Sequence, residues 1–182
     1  YGDGGAIFTS NDKFAEICKQ IRIHGQSARY YHERIGVGGR MDTLQCAVVL
    51  AKLDNFEQEL ELRAKAHKFY DELISTKLTN IQPKVQVPLI RPDRSTVTGQ
   101  YTIRLDDREN IISQMNARGI PLAVHYPTPL NEQPAFKKYS TENSQTPIAA
   151  KVSREVVSLP FGPYITKEQQ QLVITSLLNC LK

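Results

Sequence analysis

Long apolar runs, charge clusters and paired cysteines are all missing from this 182-residue sequence, and each absence removes a class of function. No apolar stretch approaches the roughly 20 residues that span a bilayer, and the first residues do not read as a signal peptide. The net charge of +4 is small and the basic residues are scattered, which disfavours nucleic-acid binding. Cys18, Cys46 and Cys180 are odd in number and far apart, with neither disulfide nor metal spacing. Each sits among helical apolar positions and reads as a buried thiol of a reducing compartment. No Ser-His-Asp, Cys-His or zinc-like spacing occurs, and no carboxylate pair stands out as general acid and base. An initiator methionine is missing as well. The start Tyr1-Gly2-Asp3-Gly4-Gly5-Ala6 falls in the middle of a structural unit, and the chain is expected to be a fragment without its N-terminal portion.

What remains, 40% hydrophobic and 23% charged residues, is the composition of a folded chain with one domain or parts of two. Ala6-Ile7-Phe8-Thr9 reads as a short buried strand. Ser10 and Asn11 offer caps for a helix with Phe14, Ile17, Cys18 and Ile21 on one face, ended near His24-Gly25 by a left-handed glycine. Residues 26–41 read as a functional loop rich in glycine, tyrosine and arginine. A helix opened by Asp42 or Thr43, with Leu44, Val48 and Ala51 as its buried stripe, precedes a long amphipathic one carrying Phe56, Leu60, Ala66, Phe69, Tyr70 and Leu73. His67 on that helix is read as a surface residue.

At residues 75–84 the pattern changes to turn and strand chemistry. Val85–Leu89 and Tyr101–Leu105 alternate with period two around a polar turn at Arg91–Ser95. A helix from about Arg108 to Arg118 is closed by Gly119, and Leu122–Tyr126 reads as a strand stopped by Pro127, Pro129 and Pro134. Residues 137–147 are expected on the surface. A short strand, Val156–Leu159, and a helix capped by Thr166 and Gln169, with Leu172, Val173, Leu177 and Leu181 facing the core, complete the order. The second half is thus a small α+β unit.

The segment Gly36-Val37-Gly38-Gly39-Arg40-Met41-Asp42 is the most informative. Its glycines permit a sharp turn and close backbone approach, and Arg40 at the mouth of a helix suits a carboxylate or phosphate. Alone it reads first as a turn before a helix. His24 reads either as a helix C-terminal cap or as an anion contact from the same loop. His125 and Tyr126, at a strand end beside a proline-kinked loop, read as binding residues, with a structural hydroxyl bond the other reading for Tyr126.

In this order, Tyr1–Ala6, His24-Gly25-Gln26, Gly36–Ala47, Val124–Leu130 and Ser158–Tyr164 resemble the DegT/StrS family over essentially the whole chain. These are pyridoxal 5'-phosphate (PLP) aminotransferases of nucleotide-linked keto-sugars. The resemblance is to the members that move an amino group from glutamate to UDP-2-acetamido-2-deoxy-3-oxo-glucuronate for surface polysaccharide (lipopolysaccharide, O-antigen) synthesis. It implies an α/β, type I PLP-aminotransferase fold, with residues 1–75 ending the large domain and carrying the interdomain helices, and 76–182 forming the small C-terminal α+β domain. It also implies a cytoplasmic homodimer with shared active sites and no nucleic-acid or membrane partner. His24, Arg40, His125 and Tyr126 match positions that bind the sugar nucleotide. Gly38 stands where many members have an asparagine on the cofactor phosphate, and keeps only a backbone N–H for that contact. The Schiff-base lysine of the family lies upstream of this chain, so the 182 residues alone are expected to be inactive. The alternatives are a C4 aminotransferase of 6-deoxy keto-sugars and a non-catalytic regulatory or binding protein of the same fold.

Overall fold

Helix and strand signals along the chain become two compact units, residues 1–57 and 58–182. The computed structural model describes residues 4–78, 85–139 and 146–181; the Tyr1-Gly2-Asp3 motif start and most of the pattern change at 75–84 lie outside them.

In the first unit, α1 (Asp12–Ile21) begins where Asn11 accepts a hydrogen bond from the Phe14 N–H at 3.0 Å. Its end is closed by Gly25, at φ 75°, whose N–H donates to the Gln20 carbonyl. An Asn11→Ala change therefore removes a cap worth about 1 kcal/mol, to be read as a lowered urea midpoint. The loop after α1 holds a short antiparallel hairpin, β1 (Gln26–Ala28) with β2 (Tyr31–His32), which the glycine- and arginine-rich composition did not reveal. The helix expected at Asp42 is α2 (Thr43–Leu53), although Asp42 makes no side-chain cap bond.

Two apolar expectations fail in this unit. Ala6–Thr9 forms no strand, and Ile7 and Phe8 are exposed, because no described segment pairs with them. A strand without a ladder partner has no reason to hold its shape. Nor does α2 bury a stripe: Leu44 is 84% exposed and Ala51 is exposed, and the helix has no buried residue. Its apolar side chains have no covering element among the described residues. Cys18 and Cys46 are accordingly half-buried, and only Cys180 is buried.

The second unit is built on the antiparallel pair β3 (Tyr101–Arg104) and β4 (Val156–Leu159). Single bridges, Gln86 with Arg104 and Ala123 with Ser158, extend the ladder on both sides. Period two places Tyr101 and Ile103 opposite Leu159 and Val157 on the core face. That face is covered by α3 (Phe56–Lys77), α4 (Arg108–Ala117) and α6 (Lys167–Cys180), through Tyr70, Ile74, Met115, Ile174 and Leu177. Thr166 and Gln169 form the expected capping box of α6. Gly119, at φ 75°, follows α4 as read from sequence.

Several details differ from the sequence reading. Of Val85–Leu89 only Gln86 pairs, since Pro88 has no N–H to donate and Leu89 is exposed. Leu122–Tyr126 likewise reduces to the Ala123 bridge. Leu172 is 60% exposed, because the buried stripe of α6 runs through Gln170, Val173, Ile174 and Leu177. Residues 137–139 close a 3₁₀ turn (Pro134–Tyr139), 140–145 lie outside the described residues, and Pro147 opens α5 (Pro147–Glu155).

His67 is the clearest correction. It is buried on the core stripe of α3, three residues before Tyr70. Its Nδ1 lies 2.9 Å from Thr98 Oγ1, its Nε2 3.3 Å from Asp71 Oδ2, and its ring meets Tyr101 edge-on. The Tyr101 hydroxyl donates to Asp71, and the Tyr70 hydroxyl donates to the Pro160 carbonyl at 2.8 Å. Burial pushes both tyrosine pKa values well above the ordinary range, helped at Tyr101 by the Asp71 carboxylate. A raised folded-state value means that the stability these hydroxyls contribute is complete below pH about 10, the unfolded value, and is lost as pH rises towards the folded ones. In an ultraviolet alkaline titration, these two tyrosines are expected to ionise only as the protein unfolds.

Candidate functional site

The loop between α1 and α2 is held by backbone pairing across its two arms. The His24 N–H donates to the Val37 carbonyl at 3.0 Å, and the Gly39 N–H to the Arg22 carbonyl at 2.8 Å. Ile23 and Gly38 face each other between these bonds as a non-hydrogen-bonded pair. The Gly38 N–H therefore points out of the ladder and makes no hydrogen bond among the described residues. A Cβ at Gly38 would lie 3.2 Å from the His24 ring, so the glycine leaves the imidazole room.

Gly36 has a different task. A Cβ there would lie 2.3 Å from Gly25 N and 2.4 Å from the Ile21 carbonyl oxygen, both backbone atoms. We expect Gly36→Ala to displace the whole arm that carries Arg40, seen as a lowered urea midpoint with little change in helix content by circular dichroism.

Residues 22–40 carry four arginines against one glutamate. Arg34 is engaged with Gln20 at 2.9 Å, and Arg29 bonds Tyr30 and lies over its ring. Arg40 is exposed and makes no hydrogen bond or ion pair among the described residues. His24, in the left-handed region at φ 64°, is exposed, and its carbonyl meets His32 Nδ1 at 2.9 Å. The structure thus brings His24 and Gly38 together, with Arg40 two residues on along the same arm. An outward N–H and, two residues on, an exposed arginine are groups that suit an oxyanion.

In the second unit, His125 and Tyr126 are adjacent with their rings edge-to-face, centroids 5.5 Å apart. Both line a cavity of about 460 Å³ with Pro127, Leu130, Gln133 and Val152. Tyr126 is 72% exposed and makes no hydroxyl-to-backbone bond among the described residues, so the structural reading of its hydroxyl fails. His125 Nδ1 lies 3.1 Å from Ser158 Oγ, on the sheet face turned away from the core. Ser158 and its cross-strand partner Thr102 had no functional reading from sequence. The signal available was the one polar position in the apolar run Val156-Val157-Ser158-Leu159.

A family model for the DegT/DnrJ/EryC1/StrS aminotransferases matches residues 1–178. The chain belongs to this family. The UDP-2-acetamido-2-deoxy-3-oxo-D-glucuronate aminotransferase of Pseudomonas aeruginosa is 43% identical over 179 residues, 98% of this chain and 47% of that protein. A pleiotropic regulatory protein of Geobacillus stearothermophilus is 36% identical over 97% of this chain and 47% of its own length. The crystal structure of a DegT DnrJ EryC1 StrS aminotransferase from Brucella abortus matches with a TM-score of 0.85 at 30% identity, covering 96% of this chain and 45% of that one. The chain therefore spans about half the length of the curated relatives it matches. The family resemblance and the α/β aminotransferase fold expected from the ordered motifs are both borne out.

Proposed function

We propose that this chain is the C-terminal portion of an aminotransferase that moves an amino group from glutamate to the 3-keto group of UDP-2-acetamido-2-deoxy-3-oxo-glucuronate, serving surface polysaccharide synthesis in the cytoplasm. The observation that carries this reading is the 43% identity, over 98% of the chain, to a relative named for that reaction. In the longer enzyme, residues 1–75 end the large domain and 76–182 form the small one. The exposed apolar side chains of α2, Leu44 and Leu50 among them, suit burial against a second subunit in a homodimer.

The donor set of the first unit fits a phosphate-bearing cofactor or substrate. PLP, when bound, supplies the electron sink for amino transfer. The outward Gly38 N–H would meet the cofactor phosphate by its backbone alone, and the neighbouring Arg40 would clamp the anionic sugar nucleotide with its planar fork. In the first unit His24 would add a donor; in the second, His125 would offer a donor and Tyr126 a ring and a hydroxyl to the sugar nucleotide. These residues bind and orient. The Schiff-base lysine belongs to the upstream part of the family's sequence.

The test is amino transfer by the full-length protein, measured with the glucuronate-type 3-keto nucleotide and with a 6-deoxy 4-keto nucleotide. The expected result is a 3-amino product from the former and no turnover by residues 1–182 alone. Turnover by those 182 residues alone, or preference for the 6-deoxy sugar, would overturn the assignment. The relative named as a regulatory protein favours a second reading, ligand binding without transfer. That reading predicts binding of the nucleotide with no product.

A further inference from the structure

We propose that Ser158 is a positioning residue that, with Thr102, fixes the imidazole of His125 as a hydrogen-bond donor to an anion. The proposal rests on the reading of His125 as a residue of the sugar-nucleotide site. Thr102 and Ser158 are direct cross-strand partners, and their hydroxyl oxygens lie 2.8 Å apart. On its other side Ser158 pairs with Ala123, exchanging both backbone bonds at 2.7 and 3.2 Å. His125, two residues beyond Ala123, returns to the same sheet face and sets Nδ1 3.1 Å from Ser158 Oγ. Ser158 itself is 5% exposed.

Proton counting gives the relay its direction. A neutral imidazole carries one ring proton, and each hydroxyl carries one. If Nδ1 held the proton and donated to Ser158, Ser158 would donate to Thr102, and the half-buried Thr102 would need water to take its proton. Running the other way, Thr102 donates to Ser158 and Ser158 donates to Nδ1, so every hydroxyl proton is used. The ring proton then sits on Nε2. His125 lines both the 460 Å³ cavity and a smaller one of about 190 Å³ that also touches Ser158. With Nδ1 occupied, the ring offers one polar group, an Nε2–H, which suits a phosphate or carboxylate oxygen and is the wrong polarity for a cation.

The experiment is nitrogen NMR of the full-length protein with ring-labelled histidine at pH about 8.5, above the ordinary histidine range, with His125 assigned from a His125→Asn variant. Wild type is expected in the Nε2–H form. Ser158→Ala should move the signal towards a tautomer mixture, and Ser158→Thr should restore it. UDP binding by Ser158→Ala should weaken roughly two- to tenfold, the usual range for one hydrogen bond. Comparing UDP-N-acetylglucosamine with its glucuronate analogue separates a carboxylate contact from a diphosphate one. Wild type in the Nδ1–H form, or a Ser158→Ala signal identical to wild type, would overturn the relay. Should Ser158→Ala fail to fold, Ser158→Cys decides the same point, because a thiol is a much weaker donor to Nδ1 and the mixture should appear. A wild-type protein that does not bind UDP would instead overturn the proposed function, while the tautomer still decides the relay.

Discussion

Arg40→Ala in the full-length protein is expected to raise the KM for the sugar nucleotide roughly tenfold to a hundredfold, leaving cofactor loading and thermal stability near wild type. Arg40 is exposed and has no hydrogen-bond or ion-pair partner among the described residues, so its removal breaks no contact among them. A charge-assisted contact to a carboxylate or phosphate is worth about 1.5–3 kcal/mol, which sets the size of the effect. Lysine at this position keeps the charge and loses the two-pronged geometry, so Arg40→Lys should recover only part of the binding. Steady-state kinetics and visible absorbance of the cofactor separate the outcomes. An unchanged KM would remove Arg40 from the substrate site.

Tyr101→Ala should destabilise the second unit by about 3–5 kcal/mol, the range for deleting a buried aromatic ring. Tyr101 is fully buried and sits at the centre of a ring cluster, 4.8 Å from Tyr70, 5.1 Å from His67 and 6.1 Å from Phe161. Alanine leaves a cavity under β3 and an unsupported His67. Tyr101→Phe is a milder change. It deletes only the hydroxyl, and the Asp71 carboxylate it releases is 42% exposed and able to bind water. About 1 kcal/mol is expected for that change. Urea unfolding of the two variants gives the comparison, and equal losses would show that the hydroxyl, rather than the ring, holds this layer together.

The residues that the sequence made legible are those whose role is local. Asn11 caps α1, Thr166 and Gln169 cap α6, Gly25 and Gly119 take left-handed turns, and Val156–Leu159 pairs as a strand. Each follows from the chemistry of a few neighbouring residues. His67 was missed because its burial depends on Thr98, thirty-one residues away, arriving with a hydroxyl for its Nδ1. Leu44 and Phe8 were placed inside because apolar spacing shows that a face wants cover, and carries no information about where the cover comes from. The site divides in the same way. Arg40, Gly38 and His24 stood out because glycine and arginine are informative within a loop, and His125 and Tyr126 because a proline stops the chain beside them. Ser158 and Thr102 are small hydroxyl residues whose role arises only when β3 and β4 align in register.

We propose that this chain supplies anion-binding elements to a sugar aminotransferase acting on a glucuronate-type nucleotide. Product analysis by mass spectrometry, after incubating the full-length protein with glutamate and UDP-2-acetamido-2-deoxy-3-oxo-glucuronate, tests it most directly. The account predicts a 3-amino sugar nucleotide, formed at a much reduced kcat/KM by Arg40→Ala. Tight binding of the nucleotide with no amino product, in wild type loaded with cofactor, would contradict it.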